Sequence, residues 1–180
     1  MLEHKGTKTL ETSRLILRRA QIEDAEMVYR NWTSDPEVTK YLTWPTHESR
    51  ETTEAVLKYW ISQYGNDNFY QWLIVYREHG EPVGTISVVD QSDCERRGEI
   101  GYCIGINWWH RGIMTEALNA VLRFLLEEVG MERIEACHDV NNPHSGAVMR
   151  KCGMELERIE PKGGKNNSGI CDLCRYAIHR

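Results

Sequence analysis

The sequence predicts a mixed α+β fold of about seven strands, in which antiparallel hairpins come first and a strand, helix and strand unit follows. Three observations carry this. Runs with strand character recur at about 14–20, 70–78, 82–90, 97–106, 133–138, 154–160 and 171–179, set off by turn residues. The runs at 97–106 and 133–138 are separated by a long segment with helical spacing, as a crossover between parallel strands requires. The chain of 180 residues, 41% apolar and 27% charged, is of the size to bury a core as one domain over 1–180, with no repeat and no linker.

The first strand leads to helical segments at about 22–32 and 49–64, divided by the Asp35-Pro36 and Trp44-Pro45 turns. His79-Gly80-Glu81 reads as the hairpin turn between the strands at 70–78 and 82–90. In the strand at 97–106, unbroken alternation puts Ile100, Tyr102, Ile104 and Ile106 on one face. The strand then turns into a helix through a single glycine, Gly112. Met114, Ala117, Leu118, Val121, Leu122 and Leu125 form the apolar stripe of that helix, and Gly130 stops it. A strand at 133–138 follows. Asn142 is placed to cap a second helix at 143–152, Pro143 suits its first position, and Gly153 stands where a left-handed residue ends it. Lys162 to Gly169 reads as a mobile hairpin loop between the two closing strands.

The turn before the first long helix suggests chemistry. The opening N–H groups of a helix have no internal partner and lie at the positive end of its dipole, so an anion there satisfies them. Gly112 lets phosphate oxygens approach the main chain, and His110 and Arg111 add side-chain donors. A glycine turn between strand and helix is also ordinary construction. The second helix start at 142–145, presented on the following strand, is what favours a ligand site.

Composition narrows the class further. No apolar run is long enough to span a membrane, and Met1 to Lys8 is polar and mixed in charge, unlike a signal peptide, so the expected address is the cytoplasm. A net charge of −5 speaks against a nucleic-acid surface and leaves room for a cationic substrate, while also suiting plain solubility. The six cysteines predict neither disulfides nor a metal. Cys103, Cys137 and Cys152 lie in apolar patterns, and strand alternation sends Cys171 and Cys174 to opposite faces, with no second pair at zinc-site spacing.

Arg111-Gly112-Ile113-Met114-Thr115-Glu116-Ala117, with Asn142-Pro143-His144-Ser145 and Lys151-Cys152-Gly153-Met154, resembles the acetyl-CoA-binding signature of the GNAT superfamily of N-acetyltransferases. The RimJ/RimL branch of ribosomal-protein N-terminal acetyltransferases is the most similar, and Leu10 to Ala20 resembles its first strand. The family's phosphate loop has a small residue where this chain has Met114. The resemblance implies a single twisted sheet with helices on both faces and a splayed parallel pair, here 97–106 and 133–138. It also implies acetyl-CoA as cosubstrate, with the pantetheine arm pairing to main chain near Cys103, Ile104 and Ile106, and one of those amides stabilising the oxyanion.

By the same resemblance, main-chain and side-chain donors at His110, Arg111, Gly112, Ile113, Met114 and Thr115 hold the diphosphate, with Asn142 and Lys151 as further cofactor contacts. Ser145 is expected to protonate the leaving thiolate and Glu99 to take a proton from the amine through one water. An α-amine of pKa near 8 is about a tenth neutral at pH 7, whereas a lysine-like amine needs a true base. Trp32, Tyr41 and Trp44 are expected to line the acceptor groove, where aromatic walls suit an ammonium. The expected partners are a small-molecule amine or a peptide or ribosomal-protein N-terminus, and a second copy in a homodimer. A non-catalytic acyl-CoA-binding module is the alternative, and an unrelated phosphate binder is disfavoured by the absence of a P-loop or dinucleotide glycine pattern.

Overall fold

A computed structural model describes residues 2–180; Met1, the start of the polar N-terminal stretch, lies outside them. The chain opens with a short hairpin, β1 (Leu10–Glu11) and β2 (Leu15–Arg18). A 3-10 turn leads into α1 (Ala25–Val28), which continues as a π-helical turn to Thr33. α2 (Pro36–Thr39) is capped by the Asp35 carboxylate on Glu37 N–H, and α3 (Arg50–Gln63) by the Ser49 hydroxyl on Thr52 N–H. The antiparallel strands β3 (Gln71–Tyr76), β4 (Glu81–Ser92) and β5 (Arg97–Ile104) follow. The crossover is α4 (Ile113–Arg123) with a π-helical extension to Val129, leading to β6 (Arg133–Asp139). α5 (Pro143–Lys151), β7 (Glu155–Asn166) and β8 (Gly169–His179) complete the fold.

Among the described residues eight strands form one sheet in the order β1-β2-β3-β4-β5-β6-β8-β7, with only β5 and β6 parallel. The eighth strand is β1, a two-residue piece too short to leave a periodic signal in the sequence. The alternation of β3 divides the interior into two cores. Trp72 and Ile74 face α4 and join Leu15, Leu17, Ile86, Leu118, Val121 and Leu125; Leu73 faces the other way, with Val28, Trp32 and Leu57 of α1, its π turn and α3. The glycines fall as expected: Gly112 opens α4, and Gly130 and Gly153 end their helices, with φ of 71°, 84° and 80°.

Two expectations are corrected. The segment 162–169 is not a loose loop: β7 and β8 extend through it to a tight turn at Asn167 and Ser168. Strand pairing runs on because the tip is held elsewhere in the fold. Asn167 donates from Nδ2 to Thr39 O and Trp44 O, both at 2.8 Å, and from its main chain to Leu42 O at 3.1 Å. The second correction is Ile106, which leaves the strand for a 3-10 turn and is exposed. β5 ends just before Gly105, whose main chain packs against Asn31 O and the Trp108 ring, where no side chain fits.

Candidate active site

β5 and β6 pair only from Arg97 with Arg133 to Ile100 with Ala136. Beyond that point β5 pairs with β4 alone and β6 with β8 alone, so the parallel strands part. A cavity of about 540 Å³ lies at the parting, lined on the strand side by Glu99, Gly101, Tyr102, Cys103, Cys137 and Asp139. Asn142 and Ser145 of the α5 start close one end, and Trp32, Tyr41, Trp44 and His47 form the opposite wall. The structure thus brings Glu99, Ser145, Asn142, Cys103, Trp32, Tyr41 and Trp44 to one space. Trp32 is fully buried and backs the wall from within its core. Cys171 lines the cavity while Cys174 packs in the α4 core, as the alternation of β8 predicts.

Beside the cavity stands the α4 start. Among the described residues no acceptor within the protein takes the main-chain N–H groups of 111–115, and the first helical bond is Glu116 N–H to Gly112 O at 3.1 Å. Met114 does not obstruct them. Its side chain is 5% exposed and packs in the α4 core with Ile113, leaving only the main chain of both residues at the turn. Arg14 braces the turn, donating from Nη1 to Arg111 O at 3.0 Å and from Nε to Glu116 Oε2 at 2.7 Å. Burial would raise the Glu116 pKa, but hydrogen bonds from Thr12, Arg14 and Ser13 prevail and hold it at about 2.

His110 adopts a left-handed φ of 59°, and its ring meets His144 edge-on with centroids 4.8 Å apart, so the two helix starts are adjacent. Thr115 lies in the first turn of α4. Lys151 is the last residue of α5, exposed and at the opposite end of that helix from Ser145.

The Asn142 side chain is not a cap. Its main-chain O accepts from Ser145 N–H at 3.2 Å, but the side chain makes no capping hydrogen bond, and Asn142 is among the residues that line the cavity. Pro143 at the first helical position is compatible with a cap, as Pro36 is in α2, so the missing bond is a matter of where the Asn142 side chain lies.

The Ser145 hydroxyl donates to Tyr102 Oη at 3.0 Å, and Tyr102 donates in turn to Ser145 O at 2.9 Å. Burial pushes the Tyr102 phenol well above its ordinary value, against the pull of the Ser145 hydrogen bond. Glu99 Oε1 is shared by Arg175 Nη1 and the Cys137 thiol, both at 3.4 Å, which leaves Oε2 uncommitted. Burial, with the Glu99 charge beside it, pushes the Cys137 thiol up to about 12, so it stays protonated.

Sequence reasoning missed Tyr102, Arg14, Glu116 and His144 as parts of this site. Each acts through a partner distant in the chain, brought close by strand register or helix packing. Glu116 and His144 carried a signal, by their places inside the two quoted motifs.

Open amides at a helix start, a parted parallel pair and a walled cavity beside them define a transferase that seats an extended, phosphate-bearing acyl carrier. The chain belongs to the GNAT acetyltransferase family: the model of the acetyltransferase (GNAT) domain matches residues 14–155. An uncharacterized N-acetyltransferase of Bacillus subtilis (strain 168), YoaA, is 31% identical over 169 residues, covering 94% of this chain and 95% of the relative. The structure of a GNAT-family acetyltransferase from Bacillus anthracis is 26% identical with a TM-score of 0.84, covering 96% and 98% of the two chains. The ribosomal-protein α-N-acetyltransferase RimL, solved with coenzyme A, shares the fold at a TM-score of 0.85 and 21% identity, with 96% and 98% covered. The chain is therefore an acetyl-CoA-dependent acetyltransferase whose relatives and structural neighbours lie in the RimJ/RimL branch. Among the described residues no helix is long and apolar enough to cross a membrane.

Proposed function

We propose that the chain transfers the acetyl group of acetyl-CoA to a primary amine by direct attack in a ternary complex, the acceptor being a protein N-terminal α-amine or a small-molecule amine. The observation that carries this reading is the cavity at the parting of β5 and β6, which joins Ser145, Asn142 and Glu99 to the aromatic wall of Trp32, Tyr41 and Trp44. Acetyl-CoA supplies the activated acyl carbon. The amides of 111–115, with His110, Arg111 and Thr115, hold its diphosphate, and Gly112 keeps that approach clear. The unpaired edge of β5 at Cys103 and Ile104 pairs with the arm, and one N–H there stabilises the oxyanion by about 3 kcal/mol. Lys151, at the outer end of α5, contributes only long-range positive charge.

On the protein side the Asn142 amide steadies the arm, and Ser145 gives the leaving sulfur its proton, with Tyr102 holding the hydroxyl in place. Oε2 of Glu99 attracts the ammonium through one water. Nothing favours a binding-only module, since the Met114 side chain is in the core and a tyrosine stands beside Ser145. The test is a screen of α-amine peptides and small amines for CoA release in a thiol assay. Release with one class names the acceptor. Acetyl-CoA binding with no release on any amine would sink the proposal.

A further inference from the structure

In the aromatic wall of the cavity, a histidine and two threonines form a hydrogen-bonded chain with no part in the machinery described so far. His47 Nδ1 lies 2.7 Å from Thr53 Oγ1, and Thr53 Oγ1 lies 2.9 Å from Thr33 Oγ1. Thr33 Oγ1 donates to Val28 O at 3.4 Å. All three side chains are buried and border the cavity, His47 being 9% exposed.

Either threonine hydroxyl can donate to the other, and the contact of Thr33 with Val28 O is the longest of the chain. With the Thr33 proton given to Val28 O, which only accepts, Thr33 accepts from Thr53 and Thr53 from His47, so that Nδ1 carries the imidazole proton and Nε2 keeps a lone pair. Among the described residues nothing bonds Nε2, and it is not one of the side-chain atoms sealed from solvent without a partner. The ring is held by more than the threonines: His47 N–H donates to Thr33 O at 2.8 Å, and the Trp44 ring lies 5.4 Å away, centroid to centroid.

The same count applies to Gln71, a second buried residue at the cavity. Its Nε2 donates to Thr85 Oγ1, whose own proton goes to Trp72 O at 2.8 Å, so Oε1 is the free end of the amide. Two neutral groups thus present lone pairs to the acceptor space, as a bound ammonium requires.

We propose that His47 Nε2 accepts the proton of the acceptor's ammonium, which makes His47 a catalytic residue of acetyl transfer. The proposal rests on the transfer reading above. In the step an N–H bond of the ammonium breaks and an Nε2–H bond forms, leaving a neutral amine with its lone pair free to attack and an imidazolium that returns its proton to water. Imidazole suits this task, because its ordinary pKa of about 6.5 lies near the working pH, where a general base is most effective. Burial lowers the His47 pKa, which keeps the ring neutral before the amine arrives.

Two matched probes separate a base from a wall residue: ethylamine, protonated at neutral pH, and 2,2,2-trifluoroethylamine, of similar size and largely neutral. In His47→Gln, kcat/KM with ethylamine is expected to fall about 100-fold and with the fluorinated amine less than about threefold, with CoA affinity unchanged by calorimetry. Thr53→Val, which releases the ring, is expected to show the same pattern more weakly. In the unliganded wild type, ¹⁵N-histidine NMR is expected to find His47 protonated at Nδ1. Equal losses with both amines, no loss with either, a proton on Nε2, or the amine-dependent loss appearing in Glu99→Gln instead would each overturn the assignment. If the wild type releases CoA with no amine at all, the transfer reading fails first and the role of His47 falls with it.

Discussion

A single carboxylate, Glu116, ties the first turn of α4 to the β1–β2 hairpin. Thr12 Oγ1 donates to Oε1 at 2.6 Å, Arg14 N–H to the same oxygen at 3.0 Å, and the Arg14 guanidinium to Oε2 at 2.7 Å. A carboxyl held at about 2 when folded, against an ordinary value near 4.3, stabilises the fold above the unfolded value and loses that contribution as pH falls toward 2. Urea unfolding should find Glu116→Gln less stable than wild type by about 3 kcal/mol at pH 7, with the gap closing progressively below pH 4. A gap independent of pH would mean that the charge does not matter there. Ser145 poses a different question at the same scale. Its hydroxyl points at Tyr102 in the resting arrangement, so acting on the thiolate requires only a rotation about one bond. Ser145→Ala should lower kcat by about 10- to 100-fold and leave acetyl-CoA affinity within about twofold; an unchanged kcat in the thiol assay removes Ser145 from the chemistry.

Among the elements, the α4 start shows what local sequence can and cannot disclose. The stripe from Met114 to Leu125, the stop at Gly130 and the glycine at 112 are properties of a few consecutive residues, and all were legible. The capping role of Asn142 was misread from equally local information, because the residue lies at a cavity that the local sequence does not show. Arg14 and Tyr102 as site residues, and the threonine partner of His47 in the acceptor-groove segment, were illegible for another reason. Each takes its role from a partner fixed by register or by helix packing, and no spacing in the chain encodes it. Gly112 permits a direct test. A Cβ there would meet nothing closer than Arg14 Nη2 at 3.6 Å, so the objection to a side chain is its φ of 71° and the obstruction of the open amides. Gly112→Val should strain the turn by about 1–2 kcal/mol and weaken acetyl-CoA binding at least tenfold by calorimetry. Unchanged affinity would move the phosphates elsewhere.

At the scale of the whole molecule, the cavity exists because the two cores pull different elements to one place. α4 and α5 are drawn to one face of the sheet and α1 to α3 to the other, while the parting of β5 and β6 opens the space between. The remaining wall is closed by contact between distant parts of the chain, the β7–β8 tip and the segment 39–44. That contact was invisible in the glycine- and asparagine-rich sequence at 162–169, which reads as loose when taken alone. Asn167 is its centre, holding Thr39 O and Trp44 O with one amide group, while Ser168 Oγ donates to Lys40 O at 3.1 Å. Hydrogen bonds of this kind contribute about 1 kcal/mol each, and a change of 1.4 kcal/mol is tenfold in an opening equilibrium. Asn167→Ala removes two of them and keeps the main-chain bond to Leu42 O. Hydrogen exchange of the amides at 39–47, which carry Tyr41, Trp44 and His47, should therefore accelerate about 30-fold, while α4 exchanges as before. The KM for the acceptor amine should rise with it and acetyl-CoA affinity should not, since the diphosphate turn lies in a different element. Exchange at 39–47 that matches the wild type would show that the hairpin tip rests on this segment without holding it.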